Sequence, residues 1–225
     1  MPAASAISQT PAPAPPARAE RSRAEVAFQR LTASNVSVEE WEAAYQELEG
    51  LGAEAASVLQ RGLHSSNDLI REWSASILAA NWEAAAHAVP ELTACLDSPS
   101  AGLRANAAAA LALVPGQEAR AIPVLLELTR SPDVSLRRMA AVNLHNLGPA
   151  IAPHLEAVQP LLEDDDPEVV RAVVDLLGQL GRSAEPALPR LKQIAFEADD
   201  EQLQGAARQA IQLIAPEDGG PQAPP

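Results

Sequence analysis

The chain is predicted to be all-α, a solenoid of about six stacked helix pairs, and three features of its 225 residues point there. The first is a repeat. Arg137 opens a helical pattern with Met139, Ala140, Asn143, Leu144 and Leu147, and the pattern recurs at Arg104, Arg71 and Val170 in steps of 33 and at Gln204 after 34. The inward residue of that helix accordingly falls at Leu78, Leu111, Leu144, Leu177 and Ile211. A period of this length marks units that cannot bury their apolar face alone and must stack on neighbours. The second feature is a core built from strong helix formers: 47% of residues are hydrophobic but only 3% aromatic, leaving Ala, Leu, Val and Ile to fill it. The third is punctuation, since short polar turns such as Ser131-Pro132-Asp133 separate amphipathic segments. Connections this short make neighbouring helices antiparallel.

The elements follow in order. Residues 1–20 are rich in Pro and Ala and carry little to bury, so they read as a disordered tail, with a PxxP match at Pro13 and Pro16. A weak helix over 21–32 places Val26, Phe28 and Leu31 on one side. Ser37 and Glu40 form a capping box that opens a helix over 38–49, in which Trp41, Ala44, Tyr45 and Leu48 share a face. Val38 lies 33 residues before Arg71, so 21–50 counts as a terminal unit in register. First helices are expected over 53–63, 87–96, 121–129, 152–163 and 187–197, several starting near a proline (Pro90, Pro123, Pro153, Pro189), where a missing N–H is harmless. Gly50, Gly148 and Gly181 follow second helices as helix-ending glycines do. The solenoid is expected over 21–215, and 216–225 is a second disordered tail.

Charge and side-chain inventory exclude much. A net charge of −14 repels polyanions, which argues against nucleic acid as a partner. Cys95 is the only cysteine, so it can form no intrachain disulfide and is expected to be a small core residue. No apolar run approaches the roughly 18 residues of a membrane span, and the N-terminus lacks a basic-then-apolar signal pattern. The expectation is a soluble, cytoplasmic, elongated monomer. Phosphate-cradle and nucleophile-elbow motifs are absent. The acidic run 163–168 lacks the glycine of a calcium loop and reads as a repeat turn in which Asp caps a helix.

This register resembles the HEAT repeat family, including bacterial forms related to phycobilisome-lyase repeats. The match is carried by Leu161-Leu162, Asp164, Asp166-Pro167, Val169, Leu176-Leu177-Gly178 and Leu180-Gly181, and by Ile122-Pro123, Leu125, Leu136-Arg137, Ala140-Ala141, Leu144 and Leu147-Gly148. The resemblance implies a right-handed α-solenoid with its second helices on the concave side. It also implies a ladder in which Arg71, Arg104 and Arg137 meet Asp97, Asp133 and Asp164, broken at Val170 and Gln204. Di-iron hydroxylases of this fold carry His-Glu pairs, whereas His64, His87, His145 and His154 are followed by Ser65, Ala88, Asn146 and Leu155. Solvent-exposed histidines are expected, with no metal and no cofactor.

The remaining functional surface is the outward side of the second helices. One place after the register residue stand Glu72, Ala105, Arg138, Arg171 and Gly205. That surface reads as small and apolar around the Ala105 unit, then polar with Arg138, His145, Asn146, Arg171, Asp175 and Gln179. An Ala-rich groove edged by two arginines suits a partner helix or peptide, and the expected function is a protein-interaction scaffold without catalysis. The alternatives are an enzyme or chromophore lyase on the same fold, small residues that merely let helices pack, and arginines that pair with nearby carboxylates such as Asp175.

Overall fold

Side-chain caps set the frame of the molecule. Eight helices begin at a residue whose side chain accepts a backbone N–H from the first turn, and six of these caps recur along the chain: Ser37, Asn67, Ser100, Asp133, Asp166 and Asp200. They open α2 (Val38–Gly50), α4 (Asp68–Ala79), α7 (Ala101–Ala112), α9 (Val134–Leu147), α11 (Pro167–Leu180) and α13 (Glu201–Ile214). The structure, a computed structural model, describes residues 22–216; the expected tails lie outside the described residues apart from Pro216. Each capped helix packs on the next, giving a continuous second-helix layer. The first helices lie against it: α1 (Arg23–Leu31), α3 (Ala56–Leu63), α6 (Val89–Cys95), α8 (Glu118–Leu128), α12 (Leu188–Glu197) and the short α10 (Leu155–Val158), which meets it through the 3₁₀ turns on either side. The described residues thus form six helix pairs with no strand.

The core repeats with the caps. Seven residues after each cap stands a small buried residue: Ala44, Ser74, Ala107, Ala140, Val173 and Ala207. Eleven after it stands Leu48, Leu78, Leu111, Leu144, Leu177 or Ile211, and the first five are at most 1% exposed. Ile211 is only half-buried; among the described residues no helix packs on the outer side of α13. Small residues bring paired helices close, and a Cβ built on Gly62 would stand 1.9 Å from Ser74 Oγ.

Several expectations need correction. The spacing from Ser37 to Asn67 is 30 residues rather than 33, so the counterpart of Leu78 is Leu48, and a 33-residue step lands on half-buried Tyr45. Between α4 and α6 lies α5 (Trp82–His87), a helix the periodicity did not announce, capped by Asn81; the helix expected over 87–96 accordingly begins only at Val89. Pro123 sits inside α8 rather than at its start, since that helix begins at Glu118. The helix expected over 53–63 opens with a 3₁₀ turn (Gly52–Ala55), and of the one expected over 152–163 only Leu155–Val158 is α-helical, between 3₁₀ turns over Gly148–His154 and Gln159–Glu163. Gly50 is the last residue of α2, and Gly52, with φ 56°, supplies the left-handed bend instead. Gly148 and Gly181 do adopt positive φ, 52° and 54°. Cys95 is buried and unbridged, and burial holds its thiol above the ordinary range.

Candidate binding face of the second helices

The turns before the second helices are built alike, and this decides which arginines are available. Two residues before the cap, Ser65, Ser98, Ser131 or Asp164 accepts the cap's own N–H through its side chain. From four residues after the cap, a side chain reaches back to the carbonyl at that same place. Arg71 bonds Ser65 O at 2.7 Å, Arg104 bonds Ser98 O at 2.8 Å, and Arg137 bonds Ser131 O at 3.1 Å. Gln204 does the same to Ala198 O at 2.7 Å, so the clamp is missing only at Trp41 and Val170.

The expected Asp ladder is realised at one step. Arg137 is bidentate to Asp164, with Nε 2.9 Å from Oδ2 and Nη2 3.1 Å from Oδ1. Asp164 is the turn residue that replaces serine, so only there does the place two before the cap offer a carboxylate to the clamping arginine of the preceding unit. Asp133 is instead the cap of α9, and Asp97 precedes the turn serine and is not Arg71's partner. Arg71 therefore turns to Asp68, and Arg104 to Glu127 at 3.1 Å.

Five residues after each cap comes the face row Glu42, Glu72, Ala105, Arg138, Arg171 and Gly205. Where it can, a row residue reaches the start of the next second helix. Glu72 accepts from the Ser100 hydroxyl at 2.5 Å, and Arg138 is bidentate to Asp166 at 2.9 and 2.5 Å. Asp166 is thereby both cap and ion-pair partner, and the Arg138 guanidinium holds its carboxyl below the usual carboxylate range against the opposing effect of burial. Arg137 does the same for Asp164. Arg171 is less committed: it bonds Gln202 Oε1 at 3.0 Å and stands 3.9 Å from Asp175. Asp175, expected as a carboxylate neighbour one turn after Arg171, does stand beside it; the partner of Arg138 is Asp166, which the sequence reading did not name although the 28-residue step from row residue to next cap was its signal.

The Ala-rich groove is not an open surface. Ala105 is fully buried and Ala109 nearly so, on a helix packed between α4 and α9. The polar residues beyond it do gather. His145, Asp175 and Gln179 line a cleft of about 230 Å³ with Gly178, Ala206, Gln209, Ala210 and Leu213. The Gln179 amide nitrogen is 3.2 Å from Nε2 and 3.4 Å from Nδ1 of His145, so whichever ring nitrogen lacks a proton can accept from it. Asn146 is exposed beside this pair, Leu213 is 55% exposed at the cleft mouth, and Val142 is 48% exposed one turn before His145. Arg138 and Arg171 stand outside the cleft, nearer the helix starts. His64 and His87 are exposed, but His145 and His154 are half-buried, contrary to expectation. Among the described residues no three His, Cys, Asp or Glu side chains gather as metal ligands, and no helix is long and apolar enough to cross a membrane.

Six capped helix pairs stacked through a shared leucine row define an α-solenoid of the HEAT and armadillo kind. A sequence profile of HEAT repeats matches residues 55–146 and 122–212, and the chain belongs to that family. No curated protein matches it significantly. Among solved structures, an engineered protein is similar at 21% identity and TM-score 0.65, covering 86% of this chain and 97% of that one. A designed armadillo repeat protein in complex with the peptide (KR)4 is similar at 19% identity and TM-score 0.63, covering 86% and 100%. The CpcE–CpcF complex of phycocyanin lyase from Nostoc sp. PCC7120 is similar at 21% identity and TM-score 0.54, covering 92% and 82%. At these identities the likeness is one of fold.

Proposed function

We propose that this HEAT solenoid is a non-catalytic scaffold that holds a segment of a partner protein along the exposed side of its second helices. The observation that carries the reading is the cleft at α11 and α13, where His145, Asp175 and Gln179 meet exposed Leu213. An apolar anchor ringed by donors and acceptors of both kinds is what a polypeptide needs, with its own backbone groups to satisfy. Arg171 and Asn146 extend the polar contacts, and Arg138 offers the half of its guanidinium that Asp166 leaves exposed. The similar designed armadillo repeat protein is in complex with a peptide, which supports a solenoid of this kind as a peptide holder. The lyase relative shares the fold only, and no feature of the cleft favours that chemistry.

The test is a selection of displayed random peptides on the full chain, followed by affinity measurement on the variant Arg171→Glu/Leu213→Asp. Both residues are substantially exposed, so the fold is retained, whereas Arg138→Glu would set two carboxylates against each other at Asp166. Selected peptides should lose at least about ten-fold in affinity, since an anchor and a charged contact are both removed. Equal binding by wild type and variant would place the site elsewhere.

A further inference from the structure

We propose that the seam between α2 and α4 is a second docking site, and that it takes a basic segment of a partner protein whose Lys or Arg side chains lie over Trp41, Tyr45 and Trp73. The inference rests on the reading of the second-helix face as a binding surface, but it uses different residues and a different test.

The chain has six aromatic residues, three Trp, one Tyr and two Phe, and half of them meet here. The ring centroids of Trp41 and Tyr45 are 5.2 Å apart, and those of Trp41 and Trp73 are 5.4 Å apart in an edge-on arrangement. All three rings are half-buried, so part of each faces solvent. Tyr45 Oη is hydrogen-bonded to Ser76 Oγ at 2.8 Å, which fixes the ring across the seam. Trp41 stands where the later units carry the clamping Arg71, Arg104 and Arg137. On the α2 side the seam therefore lacks that cation, and on the α4 side Arg71 is already held by Ser65 O and Asp68. Exposed Val38 and Leu69, at 69% and 54%, extend the apolar floor at the helix starts.

The charge around this floor is one-sided. Glu42 and Glu72 occupy the face row in the first two units, where the fourth and fifth carry Arg138 and Arg171. Glu49 is close enough to Tyr45 to add to the effect of burial in raising its hydroxyl's pKa. Among the described residues the carboxylates of Glu39, Glu42 and Glu49 make no hydrogen bond or ion pair. An aromatic face attracts a cation through its quadrupole, and unpaired carboxylates beside it add charge complementarity. A neutral or acidic segment would leave those carboxylates uncompensated in a chain already at −14.

The experiment titrates the 15N-labelled full chain with an octapeptide of alternating Lys and Arg. With three tryptophans there are three indole N–H signals, assigned by single Trp→Phe variants. The expected result is that Trp41 and Trp73 shift while Trp82, exposed on α5, does not. Glu42→Gln/Glu49→Gln should weaken binding about ten-fold at low salt. The matched pair Glu156→Gln/Glu185→Gln removes equal charge from the first-helix side and should change it less than about two-fold. If the matched pair weakens binding as much, the attraction is diffuse charge and the site is refuted; if Trp82 moves with the others, or none moves, it is refuted as well. Arg171→Glu/Leu213→Asp separates the two readings. Loss of the octapeptide in that variant alone would overturn this seam in favour of the α11–α13 cleft, whereas unchanged octapeptide binding supports the seam whatever the selected peptides do.

Discussion

Replacing Leu144 by alanine tests the stacking argument at its centre. Leu144 is 1% exposed on α9, with Leu111 and Leu177 at equivalent places in the units before and after. Truncation removes about three methylene equivalents at ~0.8 kcal/mol each, so roughly 2.4 kcal/mol is lost before any cavity term. A cavity follows, because α9 packs against α7, α8 and α11 and cannot collapse toward one without leaving another. The total should be about 3–4 kcal/mol, within the usual range for a core leucine. Ile211 holds the same row position in the last unit but is half-buried. Ile211→Ala should cost about half as much, roughly 1.5 kcal/mol. Urea melts followed by circular dichroism at a fixed temperature give both values. A loss below about 1 kcal/mol for Leu144→Ala, or a larger loss at Ile211, would refute the reasoning that the cost of truncation follows the burial of the row residue.

Other consequences are open to measurement. Asp166→Ala removes both the α11 cap and the partner of Arg138, whereas Asp133→Ala removes only a cap worth about 1 kcal/mol; the first should lower the urea midpoint more than the second. Asp164 and Asp166 have folded pKa values depressed by Arg137 and Arg138, so their stabilisation is complete above the unfolded value near 3.9 and is lost as pH falls through the folded values. Melting temperature should therefore fall below about pH 4, and the variant Asp164→Asn/Asp166→Asn should fall less steeply there. Gly62→Ala should destabilise by about 1–3 kcal/mol, because its Cβ would strike Ser74 Oγ, which is itself buried and bonded to Ile70 O. Gly148→Ala should cost a similar ~1–3 kcal/mol through backbone strain at positive φ, seen as a lowered thermal midpoint.

What the sequence determined by itself is the helix-pair repeat. Caps, leucine row and small-residue row are local signals repeated at near-constant spacing, and each is fixed by the geometry of a single turn or helix face. The ring of polar residues around the α11–α13 cleft was also legible, since His145, Asp175 and Gln179 keep fixed offsets from their caps. Tertiary structure decided what local pattern does not encode. The terminal unit is shortened by three residues, which a fixed 33-residue step reads through, because apolar residues on adjacent faces of α2 fit either register. Ala105 and Ala109 are outward by helical phase yet buried, since their helix is packed between α4 and α9. Arg138 faces outward by the same phase, but its reach of several ångströms lets it find Asp166 across the unit boundary. Helical phase fixes where a Cβ points; the length of a side chain and what its neighbours offer decide where the charged end goes.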